Sequence, residues 1–182
     1  GVLLRPSDES LIEQADVMID FSSPAASISN AKICGESDTA LVIGTTGIDS
    51  EHEDRLRKCA KKVPIFMSPN MSVGMSMLYR LVESAVSTLG KDFDVEIFEA
   101  HHSGKKDAPS GTALRLGEVV AAARAVDLQE KAVFDRSGDI RCREPDSIGF
   151  SSVRGGDIAG DHTVILAGDG ERLELTHRAH DR

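Results

Sequence analysis

Three cysteines in 182 residues, Cys34, Cys59 and Cys142, are too few, odd in number and without Cys-x-x-Cys spacing, which argues against a disulfide framework and a zinc finger. A reducing, cytoplasmic setting is the simplest expectation. Positive charge is also in short supply: 21 Lys and Arg stand against 30 Asp and Glu, for a formal net charge of −9. Such a surface does not capture phosphate backbones or anionic membranes, so no nucleic acid and no membrane is expected as a partner, and a small molecule fits better. No apolar run approaches the ~20 residues that span a bilayer, and Gly1 to Ser10 lack the basic-then-apolar grading of a signal peptide. What is present suits a globular chain: 40% hydrophobic and 28% charged residues, enough for one domain or two small ones.

The first third alternates short apolar runs with helix-like stretches: Val17 to Phe21, Ala25 to Gly35, Ala40 to Ile43, Ser50 to Lys62, Ile65 to Met67. Uninterrupted runs such as Ala40-Leu41-Val42-Ile43 predict parallel strands buried on both faces, with the helices as right-handed crossovers. Asp49 or Ser50 is placed to cap the second helix, with acidic residues in its first turn and lysines toward its end. Leu78, Leu81, Val82, Ala85 and Leu89 then recur at helical spacing, and Gly90 supplies a stop. Beyond it the pattern changes to α+β. A strand is expected over Asp94 to Ala100, a helix over Ala113 to Arg124, and strands around Ile148 to Val153, Thr163 to Ala167 and Arg172 to Thr176. Gly168-Asp169-Gly170 joins the last two as a hairpin, and polar Glu130 to Asp146 reads as a long loop.

The densest chemistry lies in Glu99-Ala100-His101-His102-Ser103-Gly104-Lys105-Lys106-Asp107-Ala108-Pro109-Ser110-Gly111-Thr112-Ala113. A strand delivers two adjacent histidines that point to opposite faces if it persists, a loop delivers two lysines, and Ser110 to Thr112 open a helix. A helix start is an anion site, and Gly111 permits close backbone approach. By residue type alone the stretch is either a solvated loop with a helix cap or a site for an anionic substrate, with imidazole and ammonium groups placed to move protons. Gly44-Thr45-Thr46, after a buried strand, is either a tight turn or a ligand loop, and Ser68 to Met71 occupy the same position after the next strand. His162, His177 and His180 include an H-x-x-H spacing, but on a strand end it does not converge metal ligands, so no metal is expected.

The long histidine-lysine-serine string resembles the signature of the dihydrodipicolinate reductase family. Asp20 to Pro24, Gly44 to Gly47, Asn70 to Gly74 and Val153 to His162 are similar to further family segments, in the family's order. The resemblance implies an α/β and α+β architecture: residues 1–71 as a partial dinucleotide-binding, Rossmann-like domain and 72–182 as a mixed-sheet substrate-binding and tetramerisation domain. It implies NAD(P)H-dependent reduction of 4-hydroxy-tetrahydrodipicolinate to tetrahydrodipicolinate in lysine/diaminopimelate biosynthesis. His101 and Lys105 take the proton-transfer roles, and His102, Gly111 and Thr112 hold the dicarboxylate substrate. Gly44, Thr45, Thr46, Ser68, Pro69, Asn70 and Met71 line the site for NADH or NADPH. A homotetramer is implied, as is an approach of Arg182 to the ligand pocket.

The sequence departs from the family in having no Gly-x-x-Gly-x-x-Gly turn, Gly1 being the only glycine before residue 35. The expectation is therefore the later part of a nucleotide domain plus an essentially complete substrate domain. An alternative is an inactive fragment or short form serving as a substrate-binding or oligomerisation module. A different Rossmann-type oxidoreductase, related to homoserine or diaminopimelate dehydrogenase, lacks support in the arrangement of the histidine, lysine and serine elements.

Overall fold

The computed structural model describes residues 9–12, 14–138 and 142–181, and the chain divides into two compact units, Gly1–Met71 and Ser72–Arg182. Among the described residues no helix is long and apolar enough to cross a membrane. The first unit runs α1 (Glu9–Ile12), β1 (Val17–Asp20), α2 (Pro24–Ser37), β2 (Ala40–Ile43), α3 (Ser50–Cys59) and β3 (Ile65–Met67). Its strands form a parallel sheet in the order β1-β2-β3. Local chemistry sets the helix ends: the Asp49 side chain accepts from the backbone of His52, and Asp38 closes α2 in the left-handed region at φ 57°.

Ile28, Ala31 and Cys34 of α2 and Leu56 of α3 pack on Leu41 and Ile43. Both crossovers advance one strand in the same direction, so crossovers of one hand set both helices on one face of the sheet. The expectation of a sheet buried on both faces is met on one face among the described residues. Val17, Ile19 and Phe66, on the other face, are exposed, Ile19 by 67%.

The second unit contains α4 (Val73–Leu89), a 3-10 turn at Gly90–Asp92, β4 (Asp94–His101), α5 (Gly111–Arg124), α6 (Leu128–Lys131), β5 (Ala132–Val133), β6 (Ile148–Arg154), β7 (Gly160–Ala167) and β8 (Arg172–Ala179). The sheet order is β5-β6-β4-β7-β8, with β4 parallel to β6 and antiparallel to β7. In the final hairpin the Gly168 N–H donates to Glu171 O at 2.9 Å, and Gly170 adopts φ 77°. The stretch read as one long loop from Glu130 to Asp146 is corrected at its start only, since Glu130 to Val133 belong to α6 and β5 while the described residues from Phe134 to Asp146 form no helix or strand. Asp127 caps α6 and β5 adds to the sheet edge; elements this short leave no periodic signal.

Helices α4 and α5 cover one face of this sheet, and alternation sends every second strand residue toward them. The strand register sorts those residues into rows. Val95, Ile148, Leu166 and Leu173 form one row, and Ile97, Phe150, Val164 and Leu175 the next. After these apolar rows comes Glu99 with Ser152, His162 and His177, and then His101 beside Arg154. The hydrophobic rows supply the burial that holds the helices down, and the polar rows lie at one end of that floor.

Gly117 of α5 tests this packing against helix propensity. Alanine is favoured over glycine in a helix by up to ~1 kcal/mol. A Cβ at residue 117, however, would sit 2.5 Å from the ring of the buried Phe150 and 3.2 Å from Leu128. Overpacking of this kind costs about 1–3 kcal/mol, so Gly117→Ala lowers the urea midpoint despite its better propensity. An unchanged or raised midpoint shows that the Phe150 ring yields.

Candidate functional site

Strand β4 persists through His101 and then stops. The His102 carbonyl accepts from Lys105 N–H at 3.1 Å, making a turn that is tied to the next loop by Ser103 N–H to Gly156 O at 3.2 Å. His101 therefore faces the helix-covered side in line with Glu99, while the half-buried His102 belongs to the turn.

Glu99 is the centre of the cluster. It is 1% exposed, and donors meet both of its oxygens. Arg154 Nη2 (2.7 Å) and Ser110 N–H (3.2 Å) reach Oε1, while Arg154 Nη1 (2.8 Å) and His101 Nδ1 (2.5 Å) reach Oε2. Burial alone would raise the carboxyl's pKa. The hydrogen bonds from Arg154, Ser152 and His101 overcome it and hold the group down to about 2. Arg154 is anchored in turn by Asp107 O at 2.6 Å, and Asp107 pairs with Lys105 Nζ at 2.9 Å. One continuous chain of polar contacts thus links Lys105, Asp107, Arg154, Glu99 and His101.

On the other side of His101 stands His162, ring centroids 5.1 Å apart in an edge-on arrangement. Burial, followed by the neighbouring His101, pushes its pKa down to about 4, so it is neutral at neutral pH. Its Nε2 meets Ser110 Oγ at 3.1 Å, and that hydroxyl also accepts from Ala113 N–H as the N-cap of α5. Through Ser110 the histidine cluster fixes where the positive end of α5 begins, at Gly111 and Thr112. Within this unit polar contacts join His101 and Lys105 through Glu99, Arg154 and Asp107, and Ser110, which precedes Gly111 and Thr112, meets the same carboxylate, while His102 lies in the turn after β4. Glu99 and Arg154 were not singled out from sequence as site residues; Ser110 enters there only as the first residue of the anion-binding helix start, and His162 only as a histidine for which no metal is expected. The spacing of Glu99 two residues before His101 on a strand was an available signal, since it puts both side chains on one face.

In the first unit, Gly44, Thr45 and Thr46 follow β2 and Ser68 to Met71 follow β3, so the two loops leave the carboxyl ends of neighbouring parallel strands. Gly44 is a close approach: a Cβ there would fall 2.0 Å from the Phe21 ring. Thr45 turns its hydroxyl inward, accepting from Ser22 N–H at 3.0 Å and Ser27 Oγ at 2.9 Å, whereas Thr46 is exposed. Asp20 closes the adjoining turn by accepting from Ser22 and Asn30; burial opposes its charge, but these hydrogen bonds keep its pKa below the usual value. Ser68 Oγ donates to Asn70 O at 2.7 Å, while Pro69 and Met71 are exposed. Arg182 lies outside the described residues.

Two family models match the chain: "Dihydrodipicolinate reductase, N-terminus" over residues 1–71 and "Dihydrodipicolinate reductase, C-terminus" over residues 74–182. A 4-hydroxy-tetrahydrodipicolinate reductase of Nitrosomonas europaea is 48% identical over 182 residues, which is 100% of this chain and 68% of the relative. One of Pseudomonas fluorescens is 47% identical over the same shares. A solved dihydrodipicolinate reductase from Paenisporosarcina sp. TG-14, with dipicolinate bound, superposes with a TM-score of 0.72 at 28% identity, covering 95% of this chain and 66% of that one. The chain thus spans about two thirds of the length of the proteins it is similar to.

The neutrality of His162 has a measurable consequence. Unfolded, its imidazole takes up a proton near 6.5, but folded only near 4. Its contribution to stability is therefore complete above pH 6.5 and is lost as pH falls toward 4, by roughly 3 kcal/mol. Urea unfolding at a series of pH values should show this loss, and His162→Asn should remove that part of the slope. An identical slope in the variant means that the folded protein lets His162 take up its proton as readily as the unfolded chain does.

Proposed function

The chain belongs to the dihydrodipicolinate reductase family of NAD(P)H-dependent oxidoreductases, and on that premise we propose that it reduces 4-hydroxy-tetrahydrodipicolinate to tetrahydrodipicolinate in lysine/diaminopimelate biosynthesis. The observation that carries this reading is the cluster itself, with an imidazole held by a buried carboxylate, a lysine and a helix start within one short stretch of chain. An unsaturated dicarboxylate needs those three things: neutralised carboxylates, a proton source and a fixed ring.

In this reading the start of α5 at Gly111 and Thr112, with His102, holds the carboxylates. The helix dipole contributes only about 0.3–1 kcal/mol when exposed, so the neighbouring cations are needed as well. His101 and Lys105 hold and deliver the proton that must follow reduction of the imine. The dipicolinate bound to the Paenisporosarcina protein supports a planar dicarboxylate ring as ligand. NADH or NADPH, when bound, supplies the hydride. The loops at Gly44 to Thr46 and Ser68 to Met71 fit such a cofactor, because they leave the carboxyl ends of neighbouring parallel strands. Residues 1–71 then act as the nucleotide-binding part and 72–182 as the substrate and assembly part. A homotetramer is proposed to form through the sheet face turned away from α4 and α5, where Val153 is exposed and Phe98 and Ile165 are half-buried.

The reading is tested by following NADH oxidation with substrate generated in situ by the preceding synthase. His101→Ala should lower kcat by ~10²- to 10⁴-fold, with a lower melting temperature because the buried Glu99 loses a donor. Thr112→Val should raise KM with little change in kcat, and an unchanged KM contradicts the anion site. No oxidation by the unaltered chain favours the alternative of a substrate-binding or oligomerisation module.

A further inference from the structure

We propose that Glu99 is a positioning residue for His101: it keeps a proton on Nδ1 in every state of the ring, so that Nε2 is the only nitrogen that gains or loses one, and Arg154 holds the Glu99 carboxylate in place for that task. The inference rests on the reading of His101 as the proton-exchanging group and adds what makes it directional.

A carboxylate can only accept hydrogen bonds. The 2.5 Å contact between Glu99 Oε2 and His101 Nδ1 therefore requires the hydrogen to sit on Nδ1, whether the imidazole is neutral or charged. When Nε2 gives up a proton, the electron pair of the broken N–H bond remains as the Nε2 lone pair and Nδ1–H is untouched. No tautomer exchange intervenes between one proton transfer and the next. Space on the Nε2 side is kept by Gly160, since a Cβ at that position would lie 3.1 Å from Nε2. Nothing comparable is needed on the Nδ1 side, where the carboxylate already fills the approach.

Glu99 is held so that it cannot turn away. Arg154 grips both oxygens, and Ser110 N–H, at the start of α5, adds a further donor to Oε1. Arg154 is pinned by the carbonyls of Val153 at 2.7 Å and Asp107 at 2.6 Å. Strand β4, strand β6 and the start of α5 thus converge on one carboxylate, and the imidazole is the one partner among them that can move a proton. A paired arginine and glutamate add no net charge, so the arrangement orients His101 without making the site anionic toward a dicarboxylate.

Glu99→Gln separates this role from simple packing. The amide has one end that only donates. The Ser110 N–H cannot reverse its polarity, so the amide oxygen stays beside it and the NH₂ faces His101. The neutral imidazole answers by moving its hydrogen from Nδ1 to Nε2. In ¹⁵N-labelled protein, the unaltered chain should show a protonated Nδ1 and an unprotonated Nε2 for neutral His101, and Glu99→Gln should interchange the two signals. In the same variant kcat should fall by about 10²-fold or more while KM stays within about twofold. Glu99→Asp, which keeps the charge opposite Arg154 but draws the carboxylate back, should populate both tautomers, and it carries the test if the glutamine variant does not fold. The proposal is overturned by an Nε2-protonated ring in the unaltered protein, or by variants that fold and keep both tautomer and kcat. A chain that shows the predicted tautomers but reduces no substrate even when unaltered supports the positioning role and overturns only the assigned reaction.

Discussion

A charged carboxylate removed from water must gather donors or give up its charge, and the energetic stakes are several kcal/mol per ion in a poorly hydrated setting. Glu99 gathers its donors from three elements: His101 on its own strand, Arg154 on β6 and the Ser110 amide at the start of α5. The rest of the site depends on this one constraint. It sets the direction of the His101 ring, the position of the loop that carries Lys105 through the Arg154 contact with Asp107 O, and the point at which α5 begins. Removing one partner leaves the others buried and unmatched, so the cluster acts as a unit.

The polar cluster can exist because it is built at the end of an apolar floor. Along β4 the inward residues run Val95, Ile97, Glu99, His101, and their neighbours across the sheet change character at the same step, from Val164 and Phe150 to His162 and Ser152. The apolar rows under α4 and α5 hold those helices in place. The same strand that builds the core therefore delivers the chemistry, with alternation deciding which side chains face inward. His162 shows what this costs in range of pH: its imidazole is packed so deeply, and so near His101, that it must remain neutral to stay.

Much of this was legible in the sequence where the controlling physics is local. The stop at Gly90, the cap at Asp49 and the glycine-rich hairpin after β7 follow from backbone geometry over a few residues. The cluster of His101, Lys105 and Thr112 was legible for the same reason, because strand end, loop and helix start are contiguous. Legibility stops at long-range pairing. Glu99 and Arg154 are 55 positions apart, and nothing in either segment marks the other until β4 and β6 are paired. The side of the first sheet on which α2 and α3 lie is likewise settled only once the order of the strands is known. Thr45 adds a finer example, since only the fold reveals that its hydroxyl is engaged by Ser22 and Ser27.

The central claim is that Glu99 remains an ionised anchor, held by Arg154, throughout the working range of the site. Its most direct test is the ¹³C resonance of the Glu99 side-chain carboxyl followed through an acid titration of the folded protein. The account predicts no protonation until the pH approaches about 2. A midpoint near the ordinary 4.5 would contradict it, because the carboxylate would then be an incidental neighbour of His101 and not the group that fixes it.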